Sequence, residues 1–370
     1  MLARSAIVRL SNRRVLQVKG ADAHRFLQGI LTNDMKAVAK PQDAIYAAFL
    51  TSKGRVLGDC NVVQVEHETF LLDYDASVAE ELTKHWKRYK LRMKVTLEDK
   101  SDSLGTVAAL PAVISSSDNS FIDGSSHVQD LLKLNERETS ADHGAVFCDP
   151  RGEAFGLERE NSRRFTHHSL LSVNGTSDYV DAELDAYTNR RIFLGAAEGK
   201  ELSDSIPLEA DLELLRGVSF RKGCYVGQEL TARTQFKGNV RKRFVPVALI
   251  PTAQADLVNE LQQQPFQRID ANGLQALREH LVSDAAKLSV PEGDLPIVKP
   301  GSTKSVGSII TRGQELGVAL AMMRLEHVLP KDEGEAPLMQ FSTVDGAFHA
   351  LPFQPTWWPP MDLRTGKMVL

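Results

Sequence analysis

The chain has 370 residues, 42% hydrophobic and 25% charged, with a formal net charge of −4. That length accommodates two or three domains with substantial cores. The slight acidity gives no chain-wide attraction to nucleic acid, and no apolar run reaches the roughly 18–20 residues of a membrane-spanning helix. The cysteines, Cys60, Cys148 and Cys224, lie far apart and form no C-x-x-C pair. Their number and spacing argue against a disulfide framework and against a private zinc site, and favour a reducing compartment. A metal held through Cys224 needs ligands from elsewhere.

The first fourteen residues carry Arg4, Arg9, Arg13 and Arg14, and the first acid is Asp22. Acid-poor starts of this kind resemble organelle transit peptides. However, "AIVRL" and "RVLQV" alternate apolar and polar with period two, which predicts two strands around Ser11-Asn12. "ADAHRFLQGIL" follows as a short helix with Phe26, Leu27 and Ile30 inward. "AIYAAFLTSKGRVLGDCNVVQV" reads as strand, turn at Ser52-Lys53-Gly54, strand, and "TFLLDYD" as another strand. Ser77 and Glu80 stand in capping-box spacing before "VAEELTKHWKRY", where Val78, Leu82 and Trp86 or Tyr89 share a helical face. "RMKVTLED" returns as a strand, and 101–110 holds one more. Residues 1–110 are therefore a first α+β segment, ordered β-β-α-β-β-β-α-β before the last strand.

Residues 111–143 are polar and Ser/Asp-rich, and read as a surface insertion. A second α+β segment spans 144–243. In it "GAVFCDPRG" ends a strand at Cys148, "DAELDAYTNRRIFLG" is a helix stopped by Gly195, and "IPLEADLELLRG" is a second short helix. That helix would turn Leu208, Leu212 and Leu215 inward and end before Gly217. From 244 to 370 short strands such as "RFVPVALI", "LGVALAMM" and "FHALPF" predict a β-barrel or sandwich. An insertion at 252–300 interrupts it, with Leu274, Leu277, Leu281 and Leu288 marking an amphipathic helix.

Residues 220–233 read "FRKGCYVGQELTAR". Arg221 and Lys222 directly precede Gly223-Cys224, and "YVGQELTART" has helix-forming character, which places Cys224 at or just before a helix N-terminus. Cations and a helix N-terminus both favour thiolate over thiol, and Gly223 and Gly227 leave room for a partner backbone. On this reading the loop presents a reactive or metal-ligating sulfur. The opposing reading is a small buried hydrophobe among aromatics. Arg233, Lys237, Arg241, Lys242 and Arg243 form a basic run around Gly238. It is either a solvated turn or a patch for an acidic partner or polyanion. His167-His168 lacks the spacing that puts two rings on one helical face, and no G-x-S-x-G, Walker A or G-x-G-x-x-G occurs in a fitting context.

"GVSFRKGCYVGQELTARTQFKGNVRKR" resembles the signature of the YgfZ/GcvT family, folate-binding relatives of the glycine-cleavage aminomethyltransferase. It is most similar to the mitochondrial branch that acts late in iron–sulfur cluster assembly. "GADAHRFLQGILTND", "GRVLGD", "DPR" at 149–151 and "IPLEADLELLRGVSF" agree in order. The resemblance covers most of the chain, lapses at 115–143 and 252–300, and is weak over the last 30 residues. It implies an α+β fold in which two segments form a ring around a central cavity, plus a C-terminal β-barrel.

The resemblance also implies an assembly factor rather than a turnover enzyme. Its partners would be A-type iron–sulfur scaffold proteins, its place the mitochondrial matrix, and any presequence would be absent from this chain. The task would be building [4Fe–4S] clusters from [2Fe–2S] units, with Cys224 as ligand of a shared [2Fe–2S] cluster. Lys222, Gly223, Tyr225, Gly227, Gln228 and Glu229 match the family string residue by residue. Two departures weaken the transferase chemistry. Phe193 in "RIFLG" stands where a glutamate anchors the pterin, and Asp59 matches one of an aspartate pair whose other place is Gly58. A tetrahydrofolate-dependent aminomethyl transferase is the first alternative, a thiol-redox protein using Cys224 the second, and a purely structural Cys224 the third.

Overall fold

The computed structural model describes residues 6–110, 144–152, 163–166, 180–182, 184–252, 295–313, 317–329, 339–343, 346–355 and 357–369. The surface insertion at 111–143, the amphipathic helix expected over 274–288 and His167-His168 lie outside the described residues.

The first segment follows the predicted order: β1 (Ala6–Arg9), β2 (Arg13–Lys19), α1 (Ala23–Ile30), β3 (Ala44–Leu50), β4 (Val56–Glu66), β5 (Thr69–Asp75), α2 (Ala79–Lys90), β6 (Thr96–Asp99) and β7 (Thr106–Leu110). Three strands follow, β8 (Ala145–Cys148), β9 (Arg163–Thr166) and β10 (Val180–Ala182). The two strands around Ser11-Asn12 part company. β2 sits in an antiparallel sheet ordered β3-β4-β5-β2-β6, whereas β1 joins a second sheet ordered β10-β1-β7-β9-β8.

Strand periodicity explains why the first sheet is buried on both faces. Cys60 and Val62 of β4, with Phe70 and Leu72 of β5, face the helices and meet Phe26, Leu27, Leu82 and Trp86. Val63, Val65 and Leu71 point the other way, onto Leu104, Ala145 and Phe147. Cys60 is thus a core residue, and burial pushes its thiol well up. α2 begins differently from the sequence expectation. Asp75, not Ser77, supplies the side-chain cap, accepting the Ser77 N–H at 2.8 Å ahead of a single 3-10 turn.

Next come α3 (Leu184–Phe193) and α4 (Gln228–Phe236), then β11 (Lys242–Pro251), β12 (Leu295–Val298), β13 (Ser305–Arg312), β14 (Val318–Arg324), β15 (Met339–Thr343) and β16 (Gly346–Pro352). α3 stops as expected, with Gly195 at φ +73. β11 to β16 close a barrel in the order β11-β14-β13-β12-β15-β16, which leaves no sheet edge. β12 falls inside the stretch assigned to the 252–300 insertion, so that boundary is corrected: Leu295–Val298 is a barrel strand paired with β13 and β15. A closed barrel needs that strand to complete its hydrogen bonding, and its Pro296 obscured the pattern. β11 serves two cores. Val245, Val247 and Leu249 fill one hydrophobic cluster with other barrel strands. Phe244, Ala248 and Ile250 face a shared core with Tyr46, Ile192, Leu212, Leu215 and Tyr225.

No helix forms over 206–216. The segment is a succession of turns, with Asp211 at φ 57 and Arg216 at φ 60, although Leu208, Leu212 and Leu215 are buried as expected. The reason is Arg243, which the sequence placed in an exposed basic run and which is fully buried. Its guanidinium donates to Asp211 Oδ1, Glu213 Oε1 and Leu208 O, each at 2.6 Å, and to Gly366 O at 3.0 Å. Residues two apart do not share a helical face, so a helix could not bring both carboxylates to one guanidinium. Desolvation works against the charge. Glu213 and Asp211 outweigh it and hold Arg243 above its ordinary value.

Replacing Arg243 with Met is expected to cost about 3–5 kcal/mol in urea unfolding, because two buried carboxylates lose their counter-charge. The same change at exposed Arg241 is expected to stay within about 0.5 kcal/mol. His85 supplies a pH test. Its ring lies 5.9 Å from Phe49 and 4.7 Å from Tyr89, and its Nε2 has no partner among the described residues. Burial, then Arg88, pushes it down from 6.5 to about 4. Within that window the unfolded chain binds a proton the folded chain does not, so stability falls as pH drops from 6.5 towards 4. His85→Phe is expected to flatten that slope in a pH series of thermal melts.

Candidate functional site

The site is built from the end of α1. Carbonyls in a helix's last turn lack intrahelical partners and carry partial negative charge. Here Lys222 Nζ donates to Gln28 O and Leu31 O at 2.7 Å and to Asn33 O at 2.8 Å. An ammonium has three donors, so all are used. Burial pushes this lysine down to about 8, with Asp34 opposing. Its Nζ also lies 4.9 Å from the centre of the Tyr225 ring.

Beyond Cys224, the Val226 N–H donates to Gly29 O at 3.0 Å. The loop Lys222–Val226 is therefore tied at both ends to the stretch Gln28–Asn33. Thr32 and Asn33 hold the approach to the loop as well. Thr32 Oγ1 donates to Gly217 O at 2.6 Å, the Ser219 N–H donates to Thr32 O at 3.0 Å, and Asn33 Nδ2 donates to Arg216 O at 2.7 Å. Lys222 and Tyr225 turn inward, and Gly223 and Cys224 face solvent between them. Burial pushes the Tyr225 hydroxyl up to about 12, with Thr231 opposing.

The two glycines of the string differ. Gly227 has φ +79, and a Cβ there would lie 2.4 Å from Thr51 O. Gly54, at φ +82, faces it, and a Cβ on Gly54 would lie 2.5 Å from Leu230 Cβ. The β3–β4 turn thus wedges against the start of α4 only because both residues lack side chains. A Cβ on Gly223 would meet nothing within 4 Å. Gln228 is half-buried and Glu229 exposed in the first turn of α4.

Cys224 stands four residues before Gln228, beyond the reach of that helix's first-turn dipole, and the Lys222 charge is committed to carbonyls. Of the cations expected to surround the thiol, Arg221 is the exposed one next to the loop. Arg233, Lys237, Arg241 and Lys242 are also exposed, and Arg243 leaves the patch for the interior. An aromatic pair unnoticed in the sequence joins them: the Phe220 and Phe236 rings lie 6.2 Å apart, with Phe236 largely exposed. Its signal was present, an apolar residue on a helix end among polar neighbours. The carbonyl cradle had no signal, because backbone oxygens carry no letter. Among the described residues no three of His, Cys, Asp and Glu gather as a metal site.

Asp59 lies elsewhere, fully buried on β4. Its Oδ1 accepts the Gly199 N–H at 2.8 Å and pairs with Arg13 at 3.4 Å. Arg13 also pairs with Asp73 at 3.1 Å, and Glu198 binds Arg151 and accepts Tyr187 Oη at 2.5 Å. Asp59 Oδ2 has no partner among the described residues, which leaves one acceptor for a pterin. Phe193, at the place of the expected anchoring carboxylate, packs in the core 5.8 Å from Phe353. The residues fit tetrahydrofolate at Asp59 alone and not at its charged anchor, so no folate step is derived.

Gly227→Ala is expected to lower the thermal midpoint by several degrees through strain and the Thr51 clash. Gly223→Ala is expected to leave it unchanged. Differential scanning calorimetry of the pair separates a steric role from an open surface.

Residues 3–110 match the GCVT N-terminal domain, and residues 241–360 match the CAF17 C-terminal beta-barrel domain. The mitochondrial iron–sulfur cluster assembly factor IBA57 homolog of Neurospora crassa is 31% identical over 363 residues, covering 90% of this chain and 73% of the relative. That of Mycosarcoma maydis is 30% identical over 378 residues, covering 95% and 85%. The crystal structure of the glycine cleavage system aminomethyltransferase T from Bartonella henselae aligns with a TM-score of 0.64 at 13% identity, covering 100% of this chain and 88% of that one. At that identity the likeness speaks for the fold, and it agrees with the expected GcvT-like α+β arrangement with a C-terminal barrel. With relatives this similar over most of both chains, the protein belongs to the family of the IBA57 iron–sulfur cluster assembly factor homologs.

Proposed function

We propose that this protein is an iron–sulfur cluster assembly factor of the mitochondrial matrix that offers Cys224 to a cluster held jointly with a partner. The relatives' names support the pathway and the compartment. The observation that carries the site is an exposed Cys224 on a loop pinned at Lys222 and Val226, with open space beside it at Gly223. Thiolate is a soft ligand suited to iron in such clusters, and the irons need further ligands that this loop does not supply. A partner must bring them, and the cluster is cargo rather than a resident group.

The partner class is an A-type scaffold carrying [2Fe–2S], at the stage that leads to [4Fe–4S] proteins. The loop acts by position. Its base is held, so Cys224 is offered with little conformational entropy left to lose on docking. Arg221 adjoins the loop, and Arg233, Lys237, Arg241 and Lys242 are exposed along and after α4, against a single exposed acid of the string, Glu229. That imbalance steers an acidic partner face towards the sulfur.

Mixing the protein with an A-type scaffold loaded with [2Fe–2S] is expected to give a complex in gel filtration and a changed visible absorption and circular dichroism. Cys224→Ser is expected to abolish the spectral change while leaving the thermal midpoint as it was. Identical spectra and elution for the two proteins would refute shared ligation.

A further inference from the structure

α2 ends in a turn whose features oppose folding. Between Glu81 and Glu98 the chain holds no acid and carries Lys84, Lys87, Arg88, Lys90, Arg92 and Lys94. Lys84 pairs with Glu80. The other five form no ion pair among the described residues; Arg88 lies over the Tyr89 ring at 5.6 Å. The nearby Asp22 carboxylate accepts the Lys94 backbone N–H at 2.8 Å.

The Met93 N–H donates to Lys90 O at 3.0 Å and closes a four-residue turn. Leu91 holds its first central position at φ 49, ψ −124. Those angles belong to a type II′ turn, where glycine is the ordinary occupant and a bulky residue is strained. Leu91 is also 77% exposed. Glycine would serve the fold better on both counts, by relieving the backbone and removing exposed apolar surface. The strain is therefore an outlier that asks for a functional reason.

An aliphatic tip flanked along the chain by unpaired cations is complementary to a medium that is apolar beneath an anionic face. The lipid–water boundary of an anionic bilayer has that chemistry: the tip enters the acyl region while lysine and arginine stems reach the headgroup phosphates. A nucleic acid would use the cations, but its bases stack on aromatic rings and gain little from leucine. We infer that the Lys87–Lys94 turn is a membrane-docking site that inserts Leu91 into an anionic lipid surface. It stands apart from the Cys224 loop, since Lys94 lies beside Asp22 at the start of α1 and the loop is fastened to that helix's end.

Co-sedimentation of the full chain with phosphatidylcholine–phosphatidylglycerol vesicles tests this, against phosphatidylcholine alone. Binding is expected only with the anionic lipid, and to weaken as salt rises. Leu91→Gly is expected to cut partitioning at least about tenfold while the thermal midpoint holds or rises. Neutralising Lys90 or Arg92 with Gln is expected to cost about fivefold each. Failure to bind anionic vesicles overturns the proposal. So does equal binding by Leu91→Gly, and an oligonucleotide bound alike by both proteins would then mark a charge-only site for a polyanion.

Discussion

One ammonium ties the signature loop to the first segment. Lys222 and the carbonyls that receive it are nearly two hundred residues apart, and its three bonds fix where the intervening chain returns. A lysine suits this role better than an arginine. Three oxygens converging on one point match a compact charge with three donors, whereas a planar fork would address only two of them well. Desolvation pushes the lysine down, against the pull of Asp34, and the negative end of α1 is the favourable place for its charge. With the base held this way, the neighbouring residues can stay exposed without the loop wandering. Reactivity sits at the tip and rigidity beneath it.

The same logic recurs with guanidinium groups. Arg243 gathers Asp211, Glu213 and two carbonyls, and so shapes the turns that lead into the signature. Arg13 and Arg151 gather Asp59, Asp73, Asp149 and Glu198 where the sheet meets the turn at Gly199. Buried ion sets of this kind add little net stability over hydrocarbon of equal shape, yet losing one member is costly. Their visible effect here is geometric, since they hold segments that no regular hydrogen-bond ladder reaches.

Much of this was legible in the chain. Period-two runs located β1 and β2, apolar runs around the Ser52-Lys53-Gly54 turn located β3 and β4, Leu82 and Trp86 located the helical face of α2, and Gly195 marked the end of α3. The string around Cys224 left an exposed and a buried sulfur both open, and the structure shows it exposed. What could not be read depended on distant partners. Leu208, Leu212 and Leu215 keep helical spacing and are buried, but the need to aim Asp211 and Glu213 at one guanidinium overrides the helix. Lys242 and Arg243 look alike as letters, and strand alternation sends one to water and the other inside. Leu91 occupies a backbone conformation that favours glycine, so its identity gives no sign of that turn.

β11 has a consequence for what the protein tolerates. Its alternate residues fill the barrel on one side and the common core with Tyr46, Ile192 and Leu212 on the other. The barrel is therefore not an appendage that can be trimmed away. A chain broken anywhere before β11 would strip a wall from the first domain as well. Truncations that remove β11 would then behave as whole-protein losses rather than as partial alleles.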